Sequence, residues 1–283
     1  MIGVKPQGRL GNQMFQYAFV YAQARKHRTL FFIDRYFPPP HIYSLEKYFK
    51  LRRGEKLLIR IAKTLHWRYF GKQKNYTELS QAGGDKIEAI LNKGKRNIYW
   101  EGYFQSQKYF EPYQKDIKKC FEVKKEYKSL FEQKYKRLFD EKKVLVLHIR
   151  RTDYLDWGSE ALGGKNMTLP MSYYENCLSM IKDLENYHTI VLSDDIDFVK
   201  NYFKDFPNFH YEHNEEIVDL QLIINAHKLI ISNSTFAWWG AFLNKNKELE
   251  VFAPKYWLGF KVDKEYPVGI TSTNFNWIDV YEK

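Results

Sequence analysis

Two arginines among the polar residues at the end of a short apolar run could bind an anion. Residues 144–147 read Val-Leu-Val-Leu, and His148, Arg150, Arg151 and Asp153 follow them directly. The planar and permanently charged guanidinium group of arginine can hold two phosphate oxygens at once. The pattern therefore predicts a phosphate clamp. The alternative is an Arg–Asp surface pair at the end of a strand.

The elements that would position these side chains are those of a parallel sheet. The apolar run has the length and aliphatic composition of a buried strand, and strand-like and helix-like segments alternate after it as far as residue 253. One helix is predicted to begin at Ser172, because Ser172 and Glu175 have the spacing of a capping box. The alternation indicates a doubly wound parallel sheet. We predict a C-terminal domain over residues 144–283 and an N-terminal domain over residues 1–143.

Two other predicted strands end in polar residues. Ser193, Asp194 and Asp195 follow a strand, and residues 232–235, Ser-Asn-Ser-Thr, connect a strand to a helix. Since ligands bind at the carboxyl ends of such strands, hydroxyl and backbone N–H groups there could bind phosphate. The carboxylates of residues 194–197, Asp-Asp-Ile-Asp, allow two further interpretations, namely ligation of a divalent metal and capping of the next helix.

The beginning of the chain predicts a βαβ unit. Strands are expected at residues 2–4 and 29–33, with a loop at residues 6–13 and a helix from residue 14 between them. The glycines of the loop either bring backbone N–H groups to an anion or simply form a tight turn. The next segment is less regular, with helices expected at residues 44–65 and 86–93, and a strand at residues 97–104.

The composition excludes several classes of protein. Aromatic residues make up 18% of the 283 residues, which indicates a folded core and not a disordered chain. The formal charge of +11 predicts an anionic partner, such as a phosphorylated small molecule, a nucleic acid or an anionic lipid surface. We expect no nucleic acid, because the sequence has no recognition helix, RNP-like strand or zinc-ligand spacing.

Cysteine usage and apolar segments indicate the cellular compartment. Cys120 and Cys177 cannot form a disulfide framework and have no metal-ligand spacing, so buried thiols in a reducing cytosol are expected. We see no signal peptide and no apolar run of about 20 residues, which predicts a cytoplasmic protein. The lysine-rich residues 115–143 predict amphipathic helices. Their basic face is either simply solvated or attaches peripherally to the anionic inner membrane.

Four motifs resemble the bacterial α-1,2-fucosyltransferases of glycosyltransferase family 11. They occur in the order of that family and read GRLGNQMFQYA (residues 8–18), HIRRTDY (148–154), LSDD (192–195) and SNSTFAWWGA (232–241). The resemblance implies an α/β fold of the GT-B type, in which two Rossmann-like domains face each other and the C-terminal one binds the GDP-sugar. It also implies inverting transfer of L-fucose from GDP-L-fucose to the 2-hydroxyl of a galactoside in O-antigen or other glycan biosynthesis, with no metal and no other cofactor.

The resemblance also implies roles for individual residues. Arg150 would bind the β-phosphate and stabilise the leaving GDP, while His148 and Asp219 would contact the guanosine. The residues predicted to bind the donor come from both domains: Gly11, Asn12, His148, Arg150, Arg151, Asp195, Asp219, Ser234 and Thr235. The acceptor, a galactose-containing oligosaccharide, is expected at the N-terminal domain. Its aromatic residues either stack on sugars or lie in the core, Tyr43, Trp67, Tyr69, Trp100 and Tyr103 among them.

The catalytic base is predicted from a related group of enzymes. An inverting displacement needs a base for the acceptor hydroxyl. Glu160 is predicted, because the related α-1,6-fucosyltransferases have a Glu shortly after RRTD, and Asp156 is the alternative. Asp153 is expected to orient the two arginines and completes the predicted catalytic set with Arg150 and Glu160.

One residue departs from the pattern of the family. Thr152 stands where family 11 usually has glycine, and RRTD is more similar to the α-1,6-fucosyltransferases. A fucosyltransferase of another, α-1,6-like linkage is therefore an alternative. A second alternative is a metal-dependent nucleotide-sugar glycosyltransferase that uses Asp195 and Asp197.

Overall fold

The computed structural model describes residues 1–34, 45–51, 61, 64, 77–93, 97–206 and 208–281. They form two compact units. Unit 1 consists of residues 1–124 and 267–270, and unit 2 consists of residues 125–266 and 271–283. The predictions for Tyr43, Trp67 and Tyr69, and most of the helix expected at residues 44–65, lie outside the described residues.

Unit 1 is built on a parallel sheet with the strand order β2-β1-β4-β3. Its described strands and helices are β1 (Ile2–Val4), α1 (Leu10–Lys26), β2 (Phe31–Ile33), α2 (Leu45–Tyr48), β3 (Thr77–Ser80), α3 (Ile87–Asn92), β4 (Ile98–Glu101) and α4 (Gln114–Cys120). The predicted βαβ unit at the beginning of the chain is therefore present. The expected helix at residues 86–93 and the expected strand at residues 97–104 are also present, with narrower bounds.

Helix α1 begins earlier than predicted and is buried on most of its surface. It starts at Leu10, so the second half of the predicted loop already forms its first turn. Gln16 is 1% exposed and hydrogen-bonds the backbone of Gln7 and the carbonyl of Gly102. Because these bonds satisfy its amide, a polar residue can lie inside the unit.

A short segment from the C-terminal part of the chain completes unit 1. The N–H group of Val268 donates to the carbonyl of Gly83 at 2.8 Å, and the hydroxyl of Ser106 donates to the carbonyl of Gly269 at 2.6 Å. The sequence pattern did not indicate this return, because a four-residue segment carries no periodicity of its own.

Unit 2 contains a six-stranded parallel sheet with the order β12-β11-β10-β5-β8-β9. Its strands are β5 (Lys143–Ile149), β8 (Tyr187–Ser193), β9 (Phe209–Glu212), β10 (Lys228–Ile231), β11 (Glu250–Pro254) and β12 (Asn276–Ile278), and a separate hairpin is formed by β6 (Gly158–Ser159) and β7 (Gly164–Lys165). Its helices are α5 (Lys125–Glu141), α6 (Thr152–Asp156), α7 (Met171–Ser179), α8 (Ile196–Tyr202), α9 (Glu216–Asn225) and α10 (Thr235–Leu243).

The division between the units differs from the predicted boundary at residue 143. Helix α5 belongs to unit 2, because it packs on α9, where Gln221 donates to the carbonyl of Tyr127 at 2.9 Å. The predicted capping box is wrong: α7 begins at Met171 after Pro170, so Ser172 already lies inside the helix. Pro170 is the N-cap residue in place of the serine, and its ring fixes φ at −62° before the first turn.

Two further observations concern the cysteines and the apolar segments. Cys120 and Cys177 are both buried free thiols, as expected. Within the described part of the chain, we find no helix with the length and apolar composition that crossing a membrane requires.

Candidate functional site

The strand order of unit 2 has a switch point, the place at which sheets of this kind bind ligands. From β5 the chain proceeds through β8 and β9 on one side, and then returns to β10, β11 and β12 on the other. The order therefore reverses between β5 and β10, and ligands of such sheets bind at the carboxyl ends of the strands at this switch point. His148 of β5 is in register with Ile231 of β10. The predicted motifs at residues 148–154 and 232–235 consequently follow adjacent strand ends.

His148 is buried at the switch point as a neutral ring. It is 8% exposed, and its Nδ1 lies 2.9 Å from the hydroxyl oxygen of Ser232. Burial lowers the pKa of His148 to about 4, and the positive charge of Arg150 acts in the same direction. A neutral imidazole can both donate and accept hydrogen bonds, so the residue suits contact with an uncharged group such as a base or a sugar.

Arg150 is held between two carboxylates. One terminal nitrogen donates to Oδ1 of Asp153 at 2.6 Å, and the other lies 3.0 Å from Oδ2 of Asp194. The side chain of Arg150 is 15% exposed, whereas that of Asp153 is 48% exposed. The Arg–Asp pair considered as an alternative therefore exists, but it is half inside the protein and fixes the direction of the guanidinium group at the switch point.

Asp194 is the central carboxylate of this arrangement. Besides Arg150, it accepts a hydrogen bond from the N–H group of Arg151 at 2.9 Å and one from the hydroxyl of Thr152. The sequence prediction included Asp195 among the donor-binding residues and gave no role to Asp194, the acid that pairs with Arg150. Because both residues are aspartates and adjacent in sequence, the sequence does not indicate which of them contacts Arg150.

Arg151 and Asp195 form a second pair that points towards helix α8. The Nε atom of Arg151 donates to Oδ2 of Asp195 at 3.1 Å, and the guanidinium carbon lies 3.4 Å from the ring centre of Phe198. Asp195 occupies the N-cap position of α8, but its side chain makes no hydrogen bond to the first turn. Asp195 thus neutralises Arg151, and the capping interpretation is wrong for its side chain.

The segment from Ser232 to Thr235 joins β10 to α10 in a fixed conformation. Ser232, Asn233 and Ser234 are buried, and the amide of Asn233 donates to the carbonyl of Met167 at 2.9 Å. Ser234 is the N-cap residue of α10, yet its hydroxyl does not bond to the helix. The first turn of a nine-residue helix therefore presents backbone N–H groups at the switch point, where an anion is favoured.

Asp219 lies in the first turn of α9 and is half-buried. Its Oδ1 accepts a hydrogen bond from the side chain of Asn214 at 2.8 Å. Burial raises the pKa of Asp219 to about 6, against the opposing effect of the Asn214 hydrogen bonds. The carboxyl group is hence mostly ionised near neutral pH.

The remaining predicted residues are two exposed acids of unit 2 and two residues of unit 1. Glu160 and Asp156 are both exposed, Glu160 at the beginning of a 3-10 helix and Asp156 at the end of α6. Gly11 and Asn12 belong to unit 1 and lie in the first turn of α1, where Oδ1 of Asn12 accepts from Gln105 at 2.8 Å. The catalytic and donor-binding roles of these residues stay predictions.

The profile of glycosyl transferase family 11 matches residues 1–266, which is most of the chain. The protein belongs to this family. It is therefore a glycosyltransferase, as the four motifs predicted. The three motifs that lie in unit 2 are at the carboxyl ends of the neighbouring strands β10, β5 and β8.

Relatives with assigned activities are similar over most of their length. The chain is 31% identical to the O-antigen biosynthesis glycosyltransferase WbnK of Escherichia coli, over 88% of this chain and 92% of WbnK. It is 26% identical to an α-1,2-colitosyltransferase of Escherichia coli, over 88% of this chain and 90% of the relative. The structure resembles the α-1,6-fucosyltransferase NodZ soaked with GDP-fucose, with a TM-score of 0.52 and 12% sequence identity. The match covers 85% of this chain and 92% of NodZ. The predicted α/β fold of the GT-B type is thus confirmed.

Proposed function

We propose that the protein transfers L-fucose from GDP-L-fucose to the 2-hydroxyl of a galactoside, with inversion, in O-antigen or other glycan biosynthesis. The observation that carries this proposal is the position of Arg150 at the switch point, between Asp153 and Asp194. The adjacent strand, β10, leads through residues 232–234 into α10, and the first turn of this helix offers further hydrogen-bond donors. A fixed guanidinium group beside a helix N-terminus is suited to a diphosphate.

The chemistry of the transfer assigns a task to each part of the site. The acceptor oxygen forms a bond to the anomeric carbon, the bond from that carbon to the β-phosphate oxygen breaks, and GDP leaves with the bonding electrons. Arg150 would bind the negative charge that develops on the phosphate, and removal of one such donor typically costs about 10²–10³ in rate. The proton of the acceptor hydroxyl would pass to a carboxylate, for which Glu160 is proposed.

We propose that the transfer does not use a divalent metal. Of the two acids of the metal-dependent alternative, Asp195 is already paired with Arg151, whereas Asp197 is exposed in the first turn of α8. A carboxylate held by a guanidinium group would have to break that pair before it could ligate a cation. Full activity in EDTA supports this part of the proposal, and loss of activity that Mg²⁺ or Mn²⁺ restores contradicts it.

The linkage and the donor sugar are proposed from the relatives. The similarity to an α-1,2-colitosyltransferase favours attack by a 2-hydroxyl, and it makes GDP-colitose the second donor to test. The α-1,6-like alternative rests on Thr152, which in this structure bonds to Asp194 within unit 2. This contact supports a role of Thr152 in orienting the arginine and not in choosing the acceptor hydroxyl.

Acceptor binding and membrane attachment also remain proposals. Among the described aromatic residues of unit 1, Trp100 is 1% exposed and packs in the core, whereas Tyr103 is 44% exposed and could stack on a sugar. On helix α5, Lys136 and Arg137 pair with acids one turn further along the same helix. These pairs favour the solvated-face interpretation of the basic helix over peripheral attachment to the inner membrane.

The experiment incubates the purified protein with GDP-fucose or GDP-colitose and a panel of galactosides, and NMR then determines the linkage of the product. An α-linked product shows inversion at the donor sugar, and a β-linked product shows retention. The variant Arg150→Lys is measured in parallel, because an ammonium group cannot reproduce the two-pronged contact. We expect an α-1,2 product and a loss of about 10²–10³ in rate for the variant. Near-normal turnover by Arg150→Lys would contradict the clamp.

A further inference from the structure

A hydrogen-bonded network behind Asp219 connects three elements of unit 2. The side chain of Asn214, in the loop after β9, donates to Oδ1 of Asp219 on α9 at 2.8 Å and to the hydroxyl oxygen of Tyr135 on α5 at 2.9 Å. The hydroxyl of Tyr135 in turn donates to Oε2 of Glu212 at 2.7 Å. Lys134 donates to both Glu212 at 2.7 Å and Asn214 at 2.8 Å.

The network determines the orientation of the Asn214 amide. An ammonium group has donors only, so the atom of Asn214 that lies 2.8 Å from Lys134 must be the carbonyl oxygen. The NH₂ group of Asn214 therefore faces Asp219 and Tyr135. Each of its two N–H bonds has an acceptor. The contacts of Asn214 with Lys134 and Tyr135 therefore fix the direction in which its amide donates to Asp219.

The loop that carries this network begins level with the switch point. Glu212 of β9 is in register with Leu192 of β8, which is in register with His148 of β5. Glu212 is thus two strand spacings from His148, a distance of about 10 Å. A purine base that contacts His148 is of a suitable size to reach the beginning of this loop.

We propose that Asn214 and Tyr135 are positioning residues that hold the Asp219 carboxylate in the orientation that selects guanine over other bases. The proposal rests on the proposed function, in which GDP is the leaving group and Asp219 contacts its base. Guanine presents two donors side by side, N1–H and the 2-amino group, which a carboxylate with a fixed plane can accept together. Hypoxanthine lacks the 2-amino group, and adenine presents an acceptor at N1.

The charges around Asp219 support such a role. Burial raises the pKa of the Asp219 carboxyl to about 6, hydrogen bonds from Asn214 and the charge of His213 lower it, and Glu212 raises it. Lys134 compensates the charge of Glu212 on the other side of the network. Loss of the Asn214 donor should therefore leave Asp219 more readily protonated, and less able to accept hydrogen bonds from guanine in weak acid.

The test measures the dissociation constants of GDP, IDP and ADP for the full-length protein by calorimetry, between about pH 5 and 8, across the ionisation of Asp219. For Asn214→Ala we expect GDP to bind on the order of tenfold more weakly, with little change for IDP, so that the preference for GDP over IDP largely disappears. The midpoint at which acid weakens GDP binding should move to higher pH. Tyr135→Phe should show the same changes to a smaller extent.

Gln221→Ala is the matched control. Gln221 lies on the same helix as Asp219 and connects it to α5 through the carbonyl of Tyr127, outside the network. It should lower stability and leave both the GDP-to-IDP preference and the pH midpoint unchanged. Unchanged preference and midpoint in Asn214→Ala and Tyr135→Phe would overturn the positioning role. If the unmodified protein does not distinguish GDP from ADP, the proposed function itself fails.

Discussion

The hydroxyl of Thr152 donates a hydrogen bond to Oδ2 of Asp194, the same oxygen that lies 3.0 Å from the guanidinium group of Arg150. The residue in which this chain departs from the usual family pattern is therefore connected to the proposed clamp through one carboxylate. The backbone N–H group of Arg151 holds the other oxygen of Asp194. Asp194 consequently has three donors around it, of which only the hydroxyl depends on the side chain at position 152.

Thr152→Gly should reduce transfer only moderately. Asp194 keeps the backbone donor and the arginine, and the loss of one hydrogen bond of about 1 kcal/mol corresponds to a fall of about fivefold in kcat/KM. The measurement is the initial rate with GDP-fucose and a galactoside, with Thr152→Ser as the control that keeps the hydroxyl. The product linkage should stay the same in all three proteins. A switch of linkage in Thr152→Gly would assign acceptor selection to this position.

Asp194→Asn should be much more damaging than Asp195→Asn. The amide removes the negative charge that orients Arg150, and about 10²-fold of the rate should be lost if the proposed clamp needs this orientation. Asp195 pairs with Arg151, whose guanidinium group lies over Phe198. The comparison uses kcat/KM, with circular dichroism to verify folding. Equal losses in the two variants would mean that both arginines contact the diphosphate.

Glu160→Gln tests the proposed base. The amide cannot accept the acceptor proton, so kcat should fall by about 10²-fold or more while the affinity for GDP stays the same. Asp156→Asn is the matched control, because Asp156 is also exposed and follows the same arginine motif. If Glu160→Gln retains most of the rate and Asp156→Asn does not, the base is Asp156.

The free energy of unfolding should depend on pH through His148. Its pKa is lowered to about 4 in the folded protein, from 6.5. The unfolded chain therefore binds the proton more readily, so this contribution is complete above pH 6.5 and is lost as the pH falls towards 4. The slope in this window is at most about 1.4 kcal/mol per pH unit. Urea unfolding of the wild type and of His148→Gln should show a shallower acid loss in the variant, and parallel curves would contradict the assignment.

Gly240→Ala should destabilise unit 2. A Cβ atom at this position would lie 2.4 Å from Cγ2 of Ile223, at the contact of α10 with α9. Overpacking of this kind costs about 1–3 kcal/mol, which thermal unfolding would detect. Gly84→Ala is the control, since a Cβ atom there meets no other atom within 4 Å. Combination with Ile223→Ala should cost less than the sum of the two single changes, and strict additivity would argue against a steric cause.

The sequence was sufficient for those parts of the fold that depend on local periodicity. The aliphatic run before His148 predicted the central strand, and the alternation after it predicted parallel neighbours with polar ends at one edge. Three features depend on contacts between distant segments and were not predictable in this way. They are the ion pair of Arg150 with Asp194 and not with Asp195, the packing of α5 on α9 through Gln221, and the complete burial of Gln16.

The path of the chain limits how this protein can be divided or recombined. The polypeptide passes from one unit to the other after residue 124, again after residue 266, and back after residue 270. A fragment that ends at residue 124 would lack Val268 and Gly269, which hydrogen-bond Gly83 and Ser106. A chimera with a relative should therefore exchange residues 267–270 together with residues 1–124. A single crossover would leave the first unit without its own closing segment.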